Sequence, residues 1–258
     1  MHINLYQEEI FNRYKSNSQI IRVLSENWFS SEMYCPCCLN TKINTFPNNE
    51  KVRDFFCDSC KNDFQLKSSS KPFGRKVLDG EFNTMLSFVQ SNKTPNFFLM
   101  HYSDDDWIIK NLYLIPKLFI TTSSLEKRKP LSSTARRAGW IGCNILLNRI
   151  SDAGRISIIR NEKILDREKI NKIWKRTFFL NNKNSDFRGW TLDVLKCIDN
   201  LSKEIFTLQD MYGFINYLRK LHPNNNNIEA KIRQQLQILR DNNIITFDYE
   251  GCYKLNKL

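Results

Sequence analysis

Apolar residues recur along this chain with two different periods, and the changes between them outline its elements. Over residues 4–28, Tyr6, Ile10, Phe11 and Tyr14 and then Ile20, Ile21, Leu24 and Trp28 repeat at helical spacing, which predicts a helix with one buried stripe. Between Asp54 and Lys67 the period drops to two. Phe64 and Leu66 alternate with Gln65 and Lys67, so two strands joined by a turn are expected. Helical spacing returns in Phe82, Met85, Leu86 and Val89, predicting a helix near 79–91. Asn96–Tyr102 reads as an apolar, aromatic strand. Ser103-Asp104-Asp105-Asp106 reads as a turn of solvated aspartates, and Ile108–Ile115 as a second strand stopped by Pro116. His101 falls within the first of these strands and reads as structural. Residues 121–149 keep no steady period and are expected to form a long connection. A strand over 155–159 and a helix over 166–180, packed through Ile170, Ile173, Trp174 and Phe178, close this region.

The polar run Asn181–Asp186 marks a boundary, giving domains 1–183 and 184–258. Beyond it a helix over 188–201 buries Trp190, Val194, Ile198 and Leu201. Thr207 with Asp210 three residues on is a capping pattern that opens a second helix, with Leu208, Met211, Phe214, Ile215 and Leu218 inward. Pro223 and Asn224–Asn227 end it, and a third helix runs from Ile228 to Asp241. Ile244–Phe247 and Cys252–Leu255 then flank a Glu250-Gly251 turn. Three helices and a hairpin are the order of a winged-helix domain, whose third helix enters the DNA major groove. With Ile228, Ile232, Gln235 or Leu236, and Leu239 inward, Lys231, Arg233, Gln234 and Gln237 face outward. Arginine pairs with guanine and glutamine with adenine. The plain alternative is a solvated charged face.

Charge narrows the partner. The 258 residues are 41% hydrophobic, enough for one or two globular domains. Lys and Arg number 39 against 27 acids, a formal net charge of +12. That balance favours a polyanion, and the lack of a long apolar run favours nucleic acid over a membrane. The first residues carry no basic segment followed by an apolar block, so a cytoplasmic, reducing setting is expected. There the pairs Cys35/Cys38 and Cys57/Cys60 predict a four-cysteine zinc ribbon over about 35–60, structural because all four ligands are sulfur. Cys37 is left over, and Cys143, Cys197 and Cys252 read as small apolar residues.

The ribbon clamps the hairpin that carries the candidate chemistry. Gln65 and Lys67 share the strand face that meets Asp54. An acid and an amide oxygen can hold a divalent cation, which acidifies water and offsets phosphate charge. A lysine beside them can orient the water and stabilise the developing anion. The plain alternative is a polar sheet face. In the long connection, Arg136 and Arg137 can hold phosphates, and Trp140 either presents its ring to a base or anchors the core.

The chain resembles the methyl-directed DpnI-type restriction endonucleases, which cut GATC carrying N6-methyladenine. The resemblance rests on the four-cysteine ribbon, Asp54 with Leu66-Lys67, Pro95-Asn96-Phe97-Phe98 and Arg128-Lys129-Pro130-Leu131. It is most specific over Thr134-Ala135-Arg136-Arg137-Ala138-Gly139-Trp140-Ile141-Gly142-Cys143-Asn144-Ile145 and over Lys231-Ile232-Arg233-Gln234-Gln235-Leu236-Gln237-Ile238-Leu239-Arg240-Asp241. It implies an α/β PD-(D/E)xK nuclease domain with an embedded zinc ribbon, followed by a winged helix. It implies magnesium at the catalytic Asp54, Gln65 and Lys67, with Asp54 and Gln65 as its ligands, and Trp140 near the methylated adenines. It also implies double-stranded, adenine-methylated DNA as partner. No obligate protein partner is expected, and the chain is expected to be a monomer. Gln65 departs from the family's glutamate, and Arg53 from the proline before its acid. Asp63, of the same strand parity as Gln65, is a candidate for the missing charge. Two other readings follow: a methylated-DNA-binding regulator that lost its chemistry through Gln65, and a nuclease for other modified or branched DNA.

Overall fold

A computed structural model of the chain describes every residue except Asn48, Asn49, Lys51, Asn182, Glu250, Lys257 and Leu258. One residue of the expected linker, Asn182, and one of the expected hairpin turn, Glu250, therefore lie outside the described residues.

The first apolar stripe belongs to two helices, α1 (Glu8–Arg13) and α2 (Asn17–Glu32), rather than one. Tyr14 and Ser16 adopt extended backbone between them. Ser16, Asn17 and Ser18 compete for backbone hydrogen bonds, which favours a helix end over a helix interior. Tyr6 precedes α1 and is exposed.

The next elements are β1 (Asn44–Thr45), β2 (Phe55–Phe56), β3 (Asp63–Ser69), β4 (Lys76–Glu81), α3 (Phe82–Gln90), β5 (Asn96–Tyr102) and β6 (Ile109–Ile115). They are followed by β7 (Leu125–Lys127), β8 (Gly142–Leu146), β9 (Ile156–Arg160), β10 (Lys163–Ile164) and α4 (Arg167–Arg176). Among the described residues the main sheet has the order β1-β2-β3-β5-β6-β9-β10. Its pairs are antiparallel except β3 with β5. A parallel pair needs a crossover, and β4 with α3 supplies it.

Two expectations are corrected here. Residues 121–149 are not simply a long connection, because β8 pairs with both β4 and β7 in a second sheet of order β4-β8-β7. The first four residues of β8 are all buried, so it shows no alternation, and β7 has only three residues. The helix near 79–91 begins at Phe82, since Glu81 caps it by accepting from the Asn83 and Thr84 N–H groups. Asp79 is thereby a strand residue.

The core has two parts. One packs α2 through Leu24, Trp28 and Phe29 against Phe55, Phe64, Phe98, Leu114 and Trp174. The other joins Phe97, Leu99 and Ile115 to Met85, Val89 and Ile145, and continues into Leu192, Leu195, Phe206 and Leu236. The middle and last thirds of the molecule thus share a core. Phe178 is exposed, not packed as expected. Helix α4 ends at Arg176 and a tighter 3₁₀ turn over Thr177–Leu180 buries Leu180 instead.

The last part comprises α5 (Ser185–Leu201), β11 (Ile205–Thr207), α6 (Leu208–Tyr212), α7 (Ile215–Leu221), α8 (Ile228–Asp241), β12 (Ile245–Tyr249) and β13 (Cys252–Leu255). The expected second helix is split into α6 and α7 at Gly213-Phe214. Its predicted cap is present: the Asp210 N–H donates to Thr207 Oγ1 at 3.1 Å and the Thr207 N–H to Asp210 Oδ2 at 2.8 Å. β11 adds an unforeseen strand, giving a sheet of order β11-β13-β12. Both Gln235 and Leu236 are buried in α8. The Thr191 hydroxyl donates to Gln235 Oε1 at 2.7 Å and admits the amide to the core. No helix among the described residues is long and apolar enough to cross a membrane.

Candidate active site, metal centre and nucleic-acid surface

Strand register brings the predicted hairpin residues together. Phe55 pairs with Phe64, and just before β2 the Asp54 side chain reaches the backbone of Leu66, between Gln65 and Lys67. The Asp54 N–H donates to the Phe64 carbonyl at 2.9 Å, and the Asp54 carboxylate accepts the Leu66 N–H at 2.8 Å. The acid is therefore held at both its backbone and its side chain. Burial pushes its pKa above the ordinary carboxylate value, while the Leu66 N–H and the Lys67 ammonium pull the other way. Beside it Gln65 Oε1 is buried with no hydrogen-bond partner. A buried acceptor left unpaired is costly. An unpaired amide oxygen next to a carboxylate is the kind of donor set that a hard cation takes.

Lys67 is not free. Its ammonium lies 2.6 Å from Asp79 Oδ1, and the Asp79 side chain is only 3% exposed. Asp79 Oδ2 is buried and unpartnered. Sequence reasoning missed this acid because it read position 79 as the start of a helix. Val77 and Asp79 share a strand parity, a signal too short to separate strand from helix. Asp63, the candidate for a second charge, is engaged elsewhere: Arg53 binds it at 2.9 Å, binds Glu50 at 2.9 Å and lies 5.0 Å from the Phe46 ring centroid. Arg53 thus ties the approach segment to the hairpin. From α2, the Arg22–Glu26 pair and Asn27 line a cavity of about 330 Å³ together with Glu50, Arg53 and Asp54.

The hairpin turn is one half of the cysteine cluster. The sulfurs of Cys35, Cys38, Cys57 and Cys60 all lie within 4.8 Å of one another, and the pairs Cys35–Cys60 and Cys38–Cys57 are 3.6 Å apart. Four sulfurs at a tetrahedral zinc stand about 3.8 Å apart, so the residues fit that ion. The two knuckles match in backbone: Leu39 donates to the Cys35 carbonyl and Lys61 to the Cys57 carbonyl, each with positive φ. Asn40 and Asn62 side chains donate to the Cys57 and Cys60 sulfurs. Cys37 is not part of this four-sulfur group, and burial holds its thiol well above the usual range.

The segment 128–141 extends the β7–β8 pair. The Arg128 N–H donates to the Gly142 carbonyl at 3.0 Å, and the Leu131 N–H to the Trp140 carbonyl at 2.9 Å. Trp140 is half-buried, with its indole N–H buried and unpartnered. A Cβ on Gly142 would meet its ring at 2.8 Å, so the glycine is what lets the indole lie against β8. The Arg137 guanidinium sits 4.8 Å from that ring's centroid. Arg136 and Arg137 are exposed. On α8, Arg233, Gln234 and Gln237 are exposed, and Arg233 donates to the Tyr212 hydroxyl. Lys231 is half-buried, its ammonium 5.8 Å from the Trp190 ring centroid, so it leans toward α5.

Two family profiles match the chain. The Dam-replacing family, DpnI, matches residues 1–183. The Dam-replacing helix-turn-helix domain matches residues 186–255.

Proposed function

Because this chain belongs to the DpnI-type Dam-replacing family, we propose that it is a magnesium-dependent endonuclease that cuts double-stranded DNA at GATC sites carrying N6-methyladenine. The nuclease domain, residues 1–183, has the PD-(D/E)xK fold in this reading, and residues 184–258 form a winged helix that reads the same DNA. The observation that carries the proposal is the grouping of Asp54, Gln65 and Lys67 on one hairpin face, with Gln65 Oε1 buried and unpartnered.

Asp54 and Gln65 hold the cation. Magnesium, when bound there, offsets phosphate charge and makes water easier to deprotonate. Lys67 orients the attacking water and stabilises charge that develops on the phosphate. Asp79 positions the Lys67 ammonium and brings to this face the second carboxylate that Gln65 does not supply. Zinc at the four cysteines holds the hairpin register on which all of this depends.

Methylation is read in the major groove. The methyl replaces one N6 donor proton and adds an apolar knob, for which Trp140 forms a wall. A methyl group in an apolar pocket is worth only ~1–3 kcal/mol. Selectivity beyond about a hundredfold therefore calls for more than one reading, which two DNA-binding domains provide. Arg136 and Arg137 hold the backbone at the nuclease domain, while Arg233, Gln234 and Gln237 reach base edges from α8. Lys231 contributes charge at the edge of that contact.

The neutral Gln65 favours one second reading, a methylated-DNA-binding regulator. Incubation with magnesium of two plasmids, one with methylated GATC and one without, separates the two. Cutting of the methylated plasmid alone, lost in Lys67→Ala, is the expected result. Tight binding to methylated DNA without cutting, in magnesium and in manganese, would establish the regulator instead.

A further inference from the structure

Arg188 is a buried cation that pairs with no carboxylate among the described residues. It lies in the first turn of α5 and is 3% exposed. Its Nη1 donates to the Lys183 carbonyl at 2.9 Å, and its Nε is buried with no partner. A guanidinium carries five N–H donors, and among the described residues no carboxylate pairs with this one. Burial alone lowers its pKa, with no acid acting on it. Asp186, the acid of the same helical turn, lines a different cavity.

Arg188 lines a pocket of about 220 Å³ at the junction between the end of the first family match and the start of the second. Asn92, Thr94, Lys117, Leu118 and Asn181 complete its wall. Thr94 is 4% exposed and its hydroxyl is buried and unpartnered. Lys117 also pairs with no carboxylate among the described residues, and its backbone N–H is held by Asn96 Oδ1 at 2.9 Å. Two cationic residues, Thr94 and two asparagines thus line one small space, with the Thr94 hydroxyl and Arg188 Nε buried in its wall. The start of a 17-residue helix adds a partial positive charge to it.

Buried charges are normally paired. Here the missing partner is a group with several acceptor oxygens and more than one negative charge. We propose that this pocket binds a phosphate group, supplied either by a nucleic-acid backbone or as free orthophosphate. A guanidinium takes two phosphate oxygens through its fork, an ammonium meets the charge as a point, and a hydroxyl donates to a third oxygen. Bound there, the anion would tie the first turn of α5 to the segments that flank β5 and β6.

The full-length, zinc-loaded protein tests this. Orthophosphate is titrated calorimetrically at constant ionic strength into wild type, Lys117→Ala and Thr94→Val. DNA affinity of the same three proteins is measured across a salt series. Thr94→Val removes the hydroxyl with almost no change in shape or charge, and circular dichroism checks each fold. Free phosphate as the ligand gives a saturable heat in wild type that weakens at least about tenfold in both variants. A backbone phosphate gives no such heat. Instead, the slope of log affinity against log salt falls by about one in Lys117→Ala, and Thr94→Val binds DNA more weakly. No orthophosphate heat, together with DNA binding that Thr94→Val leaves unchanged, overturns the proposal. The orthophosphate arm does not depend on the endonuclease reading. If the protein binds no DNA at all, that arm alone decides the question.

Discussion

The face of the Asp54 hairpin and the outer face of α8 both carry polar groups, but they treat water in opposite ways. On the hairpin, Asp54 is pinned by a backbone N–H, Lys67 is held by a buried acid, and an amide oxygen is left unpaired away from solvent. On α8, Arg233, Gln234 and Gln237 stand in solvent. Sheltered charges interact strongly and are already in place, as chemistry requires. Exposed charges are screened and mobile, which suits a surface that must meet and leave a long polyanion. The same contrast holds among the sheltered cations. Lys67, only partly buried, has its acid, whereas the buried Arg188 pairs with none among the described residues.

Breaking the hairpin should have the largest effect. Cys57→Ser removes one sulfur of the cluster and is expected to abolish cleavage. Thermal unfolding should fall by on the order of 10 °C, since several kcal/mol of metal-linked stability are lost. An unchanged melting curve would mean that the cluster does not support the hairpin. Lys67→Ala comes next. Single-turnover cleavage should drop about 10²–10³-fold, with DNA affinity nearly unchanged, because the ammonium acts on the transition state. Equal losses in both measurements would move Lys67 to the binding surface and erase the contrast.

Smaller effects belong to the exposed face. Arg233→Ala should weaken binding to the cognate sequence by about 10–100-fold and relax base preference at one position, as read by titration against variant sites. A uniform loss across all sequences would make it a backbone contact. Trp140→Ala should lower the preference for methylated over plain DNA by about tenfold while general affinity changes less. Parallel losses on the two DNAs would remove its role at the methyl group.

The smallest effect is on stability. Burial raises the Asp54 pKa in the folded state, so the native protein holds a proton that the unfolded chain releases. Wild-type stability therefore falls as pH rises from the ordinary carboxylate value through the raised one, and then levels off. Asp54→Asn has no such loss. It should be more stable than wild type at neutral pH, with the advantage fading as pH drops to the ordinary value. Urea melts between about pH 4 and about pH 8 follow this difference.

Much of the site was readable before any coordinates. Cys35, Cys38, Cys57 and Cys60 announce themselves by spacing, because a knuckle is a local turn. The shared face of Gln65 and Lys67 is expected from strand alternation, and the short hairpin brings Asp54 to the Leu66 backbone between them. The order of α5, α8 and the final hairpin follows from apolar periodicity and from breakers such as Pro223. Each of these is decided within a few residues, where backbone geometry leaves few choices.

What lay beyond the sequence depends on segments far apart in the chain. The sheet β4-β8-β7 joins residues more than sixty apart, and β7 is too short and β8 too buried to carry a period to read. The pairing of Lys67 with Asp79 and the burial of Arg188 appear only when separate segments meet. Local pattern specifies which face a side chain occupies. Only the packed fold decides which charges lose their water and which partners they find there.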